Sequence, residues 1–472
     1  MTSSLYEIML WASILAFVGA TTMYLRSGRA SAFHPVTIYL IFHFVTFVLR
    51  PLIAFYNGYD LIYRTYRFRP SWSEKATVIA GANLGMFVFV LAALAFGRAV
   101  PRFEPTSDAT LERYKVPLLV TCAIVGPLGI MSMIAVFSGD QMVRLDAATG
   151  IAVNTTGNGY LFDAQLMLAT LTGMIAYVFR FRWLSLLPFA VFVFFRAGTG
   201  SRGAFISAIF FLILLFLHSQ RRRWITARAL GLGAIGVIMF RLVGNDRGAA
   251  IQSLLGWHPA EVYLHPLRFL ESMDWANMEF FEYLVYAVPQ RTGTYDFFLS
   301  LLQIVTEPIP RALWSGKPIG APIKLFNLFD YGFPIGMSYS LPGAGWIELG
   351  WGGVIAMCAG FAWIYGRAYN RFMTSTQSPF AVMLYAAFAC TSIVAFRDGL
   401  VLTILKQALF YLAPVLLMGA VAHFYRFQGA VPSAPVNRRA QRRGAVARDA
   451  ETPKERRRAR MVESKILPLR GN

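Results

Sequence analysis

Four short segments of this chain carry residue types that could handle a phosphate group or a sugar. The first, 196–203, reads Arg-Ala-Gly-Thr-Gly-Ser-Arg-Gly. Its glycines permit a tight turn that exposes backbone N–H groups to an anion. Arg196 and Arg202 could each hold phosphate oxygens with two parallel hydrogen bonds. The alternative is a glycine-rich turn whose arginines only reach towards the membrane surface.

The second segment, 308–318, contains three prolines and would form a rigid turn. That turn would present Arg311 and Lys317 on either side of Trp314. An aromatic ring beside two cations suits a sugar that is followed by a phosphate. The alternative is a tryptophan of the membrane interface with flanking cations.

The third segment runs from Gly332 to Glu348 and includes Tyr339. Glu348 would enter an apolar helix about one turn past the membrane boundary, where a carboxylate is expensive to bury. A carboxylate held there could act as a general base. The alternative is a glutamate that pairs with an arginine of a neighbouring helix.

The fourth segment is Arg397-Asp398-Gly399, which Lys406 follows within the next apolar run. Arg247 completes the set. Ionisable groups near or within membrane spans are candidate functional residues by default, because burying them is costly.

The elements that must position these residues are membrane-spanning helices. AVILMFWYC residues make up 56% of the 472 positions and charged residues only 14%, whereas soluble proteins have about a quarter charged residues. This composition excludes a disordered protein, a disulfide scaffold and a soluble multidomain enzyme. We expect an all-α, polytopic integral membrane protein with about 11 transmembrane helices. The apolar runs lie near 5–25, 34–56, 76–97, 116–138, 159–179, 183–196, 204–218, 227–243, 344–366, 378–396 and 400–424.

The net charge of +20 is concentrated between these runs and in the tail from Arg426. Arginine clusters near 26–29, 98–115, 180–182, 219–226 and 367–377 alternate with apolar runs, as cytoplasmic loops do. The alternation places the N-terminus outside and argues against nucleic-acid binding. One outer loop, 57–75, is basic and conflicts with this rule.

The predicted organisation has four parts. Residues 1–243 hold the N-terminal transmembrane helices and 344–425 the C-terminal ones. Between them, 244–343 is a large external loop, in which 261–288 is expected to form helices on the outer membrane surface. Residues 426–472 form a basic cytoplasmic tail that is predicted to be disordered and to lie near anionic lipid.

Several segments together resemble the oligosaccharide repeat-unit (O-antigen, Wzy-type) polymerases. They read GTGSRGAF at 198–205, PIPRALWSGKP at 308–318, YSLPGAGWIELGWGGV at 339–354 and FRDGL at 396–400. The likeness covers roughly 190–405, and the Pro-Arg-x-Leu-Trp-x-x-Lys-Pro element is its most specific part. Gly316 departs from the acidic residue that the family often has before the lysine.

The resemblance implies a glycosyltransferase of the bacterial inner membrane, with its active site facing the periplasm or exterior. Such an enzyme joins polyprenyl-pyrophosphate-linked oligosaccharides into an O-antigen, capsule or exopolysaccharide. Membrane lipids and a chain-length regulator are its further partners, and no cofactor or metal is expected. Because these cations and carboxylates gather on one side of the bilayer, we assign catalytic roles and substrate-binding roles as a hypothesis. The candidate catalytic residues are Arg202, Arg311, Glu348 and Asp398, and the candidate substrate-binding residues are Lys317, Trp314, Tyr339, Arg196, Arg247 and Arg397.

Three other functions remain open. A ligase that moves a finished glycan to another acceptor would use the same chemistry. A transporter or flippase for lipid-linked glycans would have internal pseudo-symmetric halves and charges along mid-membrane spans. A non-catalytic assembly protein would use the external loop to bind partners, and its cations would be dispensable.

Overall fold

The computed structural model is helical, and it describes most of the chain. The described residues are 2–137, 143–145, 152–154, 163–198, 202–226, 270–271, 275–306, 309, 313–314, 326, 328–331 and 337–428. The strands within them are β1 (Val143–Leu145) and β2 (Ala152–Asn154), which pair antiparallel. Both strands fall in a segment that the sequence places in an outer loop.

The first half of the chain is a series of apolar helices. They are α1 (Ser3–Arg26), α2 (Pro35–His43), α3 (Arg50–Asn57), α4 (Leu61–Tyr66), α5 (Trp72–Phe96), α6 (Asp108–Phe137), α7 (Leu166–Val178), α8 (Trp183–Gly198) and α9 (Arg202–Ser219). A π-helical segment, Phe44–Leu49, joins α2 to α3, so that Pro35–Asn57 is one continuous rod. Ser71 begins α5 through a reciprocal capping box with Glu74.

The described part of the second half contains one short helix and three long ones. They are α10 (Asn277–Ala287), α11 (Leu341–Thr374), α12 (Pro379–Asp398) and α13 (Val401–Gln428). Single helical turns occur at Leu299–Leu302, Gln303–Thr306 and Leu328–Tyr331. Ser378 caps α12 by accepting a hydrogen bond from Ala381 N–H, and Gly399 ends it in the left-handed conformation.

Among the described residues, seven helices are long and apolar enough to cross a membrane, so the chain is a multi-pass membrane protein. They coincide with seven of the predicted runs: Ser3–Arg26, Pro35–Asn57, Trp72–Phe96, Asp108–Ala135, Leu341–Thr374, Pro379–Asp398 and Val401–Tyr425. Helices also form at the fifth, sixth and seventh runs, but they are shorter than a span: Leu166–Val178, Trp183–Arg196 and Phe205–Ser219. The predicted run at 227–243 lies outside the described residues.

The loops between these helices meet at one end of the bundle, which we call the basic end. They comprise 27–34, 97–107, 179–182, 220–226 and 375–378. The alternation of arginine clusters predicts this grouping. The contacts are Ala32 N–H to the Arg223 carbonyl (2.9 Å), His34 Nε2 to the Gly97 carbonyl (3.3 Å), Arg180 to the Thr106 carbonyl (3.1 Å), Glu104 N–H to Gln377 Oε1 (3.0 Å) and His218 Nε2 to Gln377 Oε1 (2.9 Å).

Helix α11 is interrupted near its start, where the backbone leaves helical geometry. Leu349 (φ −159°, ψ 34°) and Gly350 (φ 56°, ψ −132°) separate a short half-helix, 341–348, from the long remainder of α11. The two pieces cross at a pair of glycines, because a Cβ on Gly353 would lie 1.9 Å from the Gly345 oxygen. Only glycine, which has no Cβ, allows the two backbones to come this close.

Helix α10 is buried inside the bundle, and this corrects the expectation of a surface helix within 261–288. All of its residues except Tyr286 are buried. Phe281 packs against Gly81 of α5 and Gly343 of the half-helix. The aromatic and aliphatic residues of α10 cover its whole circumference, so the helix needs protein rather than an interface on every side.

Candidate functional site

The half-helix 341–348 positions the third and fourth predicted segments. Every one of its eight residues is buried. It begins at Ser340, whose hydroxyl accepts a hydrogen bond from Gly343 N–H, and it ends at Glu348. Polar groups therefore stand at both ends of a short helix that is surrounded by apolar side chains.

The N-terminal end of the half-helix meets the C-terminal end of α12. Ser340 N–H donates to the Arg397 carbonyl (2.8 Å). The side-chain amide of Asn277, at the start of α10, donates to that same carbonyl (2.7 Å) and to the Ser338 carbonyl (3.2 Å). Gly399 closes this junction, because a Cβ there would lie 2.3 Å from the Ser340 oxygen. Three elements are thus tied together beside Arg397 and Asp398.

The Arg397 and Asp398 side chains lie at this junction and are partly open. Arg397 Nε is 4.0 Å from Asp398 Oδ1, and the side chains are 36% and 23% exposed. Tyr339 is adjacent and half-buried. Burial, with a smaller contribution from the Asp296 carboxylate, raises the pKa of Tyr339 to about 12, so its phenol stays protonated at neutral pH. A guanidinium and a carboxylate therefore lie side by side at the junction, where they can form hydrogen bonds to a ligand.

The other end of the half-helix is the Glu348 carboxylate, which binds the segment 296–300. Its oxygens accept hydrogen bonds from Phe298 N–H (2.6 Å) and the Ser300 hydroxyl (2.9 Å). The backbone adds Asp296 N–H to the Ile347 carbonyl and Phe297 N–H to the Glu348 carbonyl, both at 2.9 Å. Among the described residues, Glu348 has no ion pair with an arginine. It is 7% exposed.

Arg196 and Lys406 belong to a second polar cluster. The buried Arg196, at the end of α8, donates to Gln165 Oε1. Lys406 of α13 forms an ion pair with Asp163 (2.5 Å). Because α12 ends and α13 begins at Gly399, Lys406 lies within about two helical turns of Asp398. The two clusters are therefore at the same end of the helices, away from the basic end.

Of the remaining predicted residues, only Trp314 has a described side-chain position. Arg202 is the first residue of α9, and its side chain is not among those that the structure describes. Arg247, Arg311 and Lys317 fall outside the described residues altogether. Trp314 is described and is 37% exposed. The structure thus brings Tyr339, Glu348, Arg397 and Asp398 to one half-helix, and it places Arg196 in the neighbouring cluster.

A buried set of charges that the sequence analysis did not select lies on the far side of α10. Arg50 pairs with Glu279 at 2.7 Å, and its Nε donates to both carboxylate oxygens at 2.9 Å. The Tyr63 hydroxyl donates to Glu282 (2.6 Å) and accepts from Lys75 Nζ (2.9 Å). Arg50 within the second apolar run, and glutamates three residues apart in an aromatic-rich stretch, were the available signals.

This set also accounts for part of the basic outer loop that conflicted with the charge rule. Lys75 belongs to that loop, and its ammonium lies above the Tyr63 ring at 4.4 Å from the centroid. It stabilises the buried Glu282 carboxylate electrostatically. The positive charge of Lys75 therefore offsets the charge of a buried carboxylate, whichever side of the membrane Lys75 faces.

The fold defines a helical, multi-pass membrane protein with an interrupted helix and polar clusters at one end. Within the described residues, no group of three His, Cys, Asp or Glu side chains is placed to hold a metal ion. No protein-family model matches the chain, and no curated protein or solved structure matches it either.

Proposed function

We propose that this protein is a membrane glycosyltransferase. It would polymerise polyprenyl-pyrophosphate-linked oligosaccharide repeat units into a surface polysaccharide on the outer side of a bacterial inner membrane. The observation that carries the proposal is the interrupted helix, which holds Arg397, Asp398 and Tyr339 near one end and Glu348 at the other. These residues come from the segments that resemble the repeat-unit polymerases.

An interrupted helix within a membrane protein is itself a sign of a polar site. Irregular backbone at membrane depth is tolerated only where protein buries it or where it lines a water-filled cavity. The half-helix 341–348 is buried, and the junction at its N-terminal end is partly open. A lipid-linked substrate could therefore reach the junction with its polar head group while its chain stays in lipid.

The proposed reaction needs a cation cluster and a base. The acceptor hydroxyl oxygen forms a bond to the anomeric carbon of the donor glycan, and the bond from that carbon to the phosphate oxygen breaks. The pyrophosphate leaves with the bonding electron pair, and fixed cations stabilise its charge in the transition state. We assign this role to Arg202, Arg311 and Lys317, with Arg196, Arg247 and Arg397 as additional members.

The acceptor hydroxyl proton would pass to a carboxylate, either Asp398 or Glu348. Asp398 is the more open of the two. Glu348 holds the Ser300 hydroxyl at 2.9 Å, which is the distance that a substrate hydroxyl would require. Trp314 and Tyr339 would stack on sugar rings.

The finer topology belongs to the same proposal. Eleven spans would place 244–343 outside as a large loop, with the half-helix and its junction facing the periplasm. The short helices α7, α8 and α9 would be tilted or partly re-entrant spans. The tail 426–472 would be cytoplasmic.

The test is the length of lipid-linked and surface glycans in cells that express single variants. We expect Arg397→Ala to lower polymer synthesis by about a hundredfold or more, because it removes a cation that acts in the transition state. We expect the same loss from Asp398→Asn or from Glu348→Gln, according to which of the two carboxylates is the base. Cells that carry the gene deletion should accumulate single lipid-linked units.

Arg64→Ala is the matched control, because Arg64 is a highly exposed arginine outside the junction. It should leave glycan length unchanged. Polymer of normal length in all three site variants, at normal protein levels, would contradict the assignment of these residues.

A transporter for lipid-linked glycans is the second candidate, since interrupted helices are typical of secondary transporters. The same deletion distinguishes the functions. Loss of a polymerase leaves single units exposed on the outer leaflet, and loss of a transporter leaves them on the inner leaflet. Loss of a ligase leaves lipid-linked polymer.

A further inference from the structure

We propose that the apolar segment 297–305 inserts into the membrane interface at the end of the bundle opposite the basic end. The segment reads Phe-Phe-Leu-Ser-Leu-Leu-Gln-Ile-Val, so seven of its nine residues are apolar and none is charged. It belongs to the stretch 244–343, which the sequence predicts to be an external loop. Its partner is the boundary between head groups and acyl chains of one lipid leaflet.

The large side chains of this segment are exposed instead of packed into the bundle. Phe297 is 52% exposed, Leu302 43% and Val305 73%. Leu313 and Trp314, further along the chain, are exposed as well. A surface that faces water rarely concentrates so many apolar side chains in one stretch. The segment therefore needs an apolar partner on its outer side.

The segment has a fixed position relative to α11. Phe298 N–H donates to the Glu348 carboxylate (2.6 Å), and Phe297 N–H donates to the Glu348 carbonyl (2.9 Å). Both phenylalanines have left-handed backbone conformations, with φ of 49° and 63°. Such conformations are unfavourable for residues with a side chain and persist where surrounding contacts hold them. The exposed side chains thus belong to an ordered surface.

This apolar surface continues onto the outer side of α11. Tyr295 packs against Gly350, where a Cβ would lie 2.7 Å from the tyrosine hydroxyl. The Phe297 ring contacts the Tyr295 ring, with centroids 6.3 Å apart. Leu349 and Trp351, on either side of Gly350, are exposed. Because α11 is long and apolar enough to span the membrane, the lipid that covers this side of α11 also reaches Phe297.

The length of α11 sets the depth of the segment. From Trp351 to Arg371 the helix is uninterrupted. That length is roughly 30 Å, the thickness of the hydrocarbon core. Arg371 is exposed at the basic end, so with Arg371 among the head groups of one leaflet, Trp351 reaches the opposite boundary, where tryptophans are enriched. The segment 297–305 is bonded to Glu348, just before Trp351, and lies at that boundary.

A second copy of this chain is the competing occupant, and the segment suits it less well. Interfaces between proteins combine apolar contacts with about one hydrogen bond per 100–200 Å². The hydroxyl of the segment, Ser300, already donates to Glu348 (2.9 Å). Acyl chains require no directional partner, and they match a surface whose exposed groups are apolar.

The experiment measures how deeply the segment lies in lipid. Leu302→Cys and Val305→Cys are made in a chain without Cys122, Cys358 and Cys390 and carry a nitroxide label. The full chain is placed in nanodiscs of phosphatidylethanolamine and phosphatidylglycerol. Power-saturation EPR then compares collisions with oxygen, which concentrates among acyl chains, and with a water-soluble nickel chelate.

Two matched positions calibrate the measurement. Leu15→Cys replaces an exposed leucine within the span α1 and reports hydrocarbon, and Thr65→Cys replaces an exposed residue outside the spans and reports water. We expect the ratio of oxygen to nickel collisions at Leu302 and Val305 to exceed that at Thr65 by about fivefold or more, because inserted apolar side chains lie among acyl chains.

A second measurement uses the unmodified chain, in case the chain without cysteines fails to fold. A phosphatidylcholine with a diazirine in its acyl chain, close to the glycerol, is photoactivated in the same nanodiscs. Peptides that contain 297–305 should carry the lipid adduct, and peptides from the loop 97–107 should not.

Frequent nickel collisions at Leu302 and Val305, or absence of the lipid adduct, would place the segment in water and overturn the proposal. Few collisions with either reagent would show that protein covers the segment, and a dipolar signal between labels would identify a second copy. Both results would also overturn it. Neither measurement requires turnover, so the outcome is separate from that of the glycan-length experiment.

Discussion

Individual residues in this protein show how a membrane bundle accommodates charge. Arg50 is 1% exposed and is satisfied by a bidentate contact with Glu279. Glu282 accepts a hydrogen bond from the Tyr63 hydroxyl, and the Lys75 and Arg50 cations compensate its burial from a greater distance. The two glutamates are one helical turn apart, yet their environments differ, so they should respond differently to pH and to substitution.

The Glu282 carboxyl should make stability depend on pH. Its folded pKa of about 7 exceeds the reference value of 4.5, so the folded state binds the proton more tightly than the unfolded state. Stability is therefore lost as pH rises from about 4.5 through 7, by an amount of the order of 3 kcal/mol. Glu282→Gln should unfold at a higher temperature than the parent chain at pH 8, with a much smaller difference at pH 5.

Thermal unfolding of the detergent-solubilised protein measures this difference. Glu112→Gln controls for the general effect of removing an acidic residue, because its side chain is largely exposed. A difference between Glu282→Gln and the parent that is the same at both pH values would contradict the prediction.

At the scale of elements, α10 is the central piece. It presents one face to the half-helix through Asn277, Phe281 and Leu284. Its other face presents Glu279 to Arg50 and Glu282 to Tyr63. At the C-terminal end of α10, the Val288 carbonyl accepts a hydrogen bond from the Trp346 indole (2.8 Å). Helix α10 therefore couples the half-helix to the N-terminal helices, and disturbing either face should destabilise the bundle.

The Arg50–Glu279 pair should anchor α10. Arg50→Met leaves a buried carboxylate without its partner and should cost about 3–5 kcal/mol. The double variant Arg50→Met/Glu279→Leu should recover much of that cost, because it removes both charges. Thermal unfolding measures both changes.

Lys115→Met is the control for this pair, because Lys115 pairs with the exposed Glu112 and such pairs contribute about 0–1 kcal/mol. If the double variant were no more stable than Arg50→Met, the unpaired Glu279 carboxylate would not be the cause of the destabilisation.

The glycine crossing in α11 should be intolerant of any side chain. A Cβ on Gly353 would clash with the Gly345 oxygen, a backbone atom that cannot move without displacing the half-helix. Gly353→Ala should therefore lower the yield of folded protein and any glycan polymerisation. Purified yield and thermal unfolding measure the first effect.

Gly360→Ala in the same helix has open space at the Cβ position, so it should be neutral or raise stability by about 0.5–1 kcal/mol. If the two glycine variants were equally stable, the close crossing of the half-helix would be wrong.

At the scale of the whole molecule, the helices place different chemistry at their two ends. Loops rich in arginine meet at the basic end through backbone and side-chain hydrogen bonds. The half-helix junction, the Asp163–Lys406 pair and the Arg50–Glu279 pair lie towards the other end. Exposed Leu15, Leu119 and Ile134 on α1 and α6 face outwards, as lipid-contacting side chains do.

Cysteine labelling tests the orientation of the two ends. Thr65→Cys and Arg222→Cys, in a chain without Cys122, Cys358 and Cys390, place one thiol at an exposed position near each end. A membrane-impermeant maleimide should label Thr65→Cys in spheroplasts and Arg222→Cys only after lysis, since basic loops remain cytoplasmic. The reverse pattern would place the half-helix junction in the cytoplasm and exclude extracytoplasmic transfer.

The sequence predicted the spans well where hydropathy alone decides. Seven predicted runs became helices of spanning length, and the arginine clusters anticipated which loops meet. Both follow from transfer free energies that act residue by residue along the chain. The same reasoning selected Tyr339, Glu348, Arg397 and Asp398, because costly residues near spans stand out in a linear sequence.

Only the tertiary structure showed the interruption after Glu348, the burial of α10 and the Arg50–Glu279 pair. Each depends on partners that are far apart in the chain: 229 positions separate Arg50 from Glu279. Periodicity records that a helix is apolar on every side, but it cannot distinguish lipid from protein as the surrounding medium. Hydropathy fixed which segments leave water, and packing decided which of their charges meet.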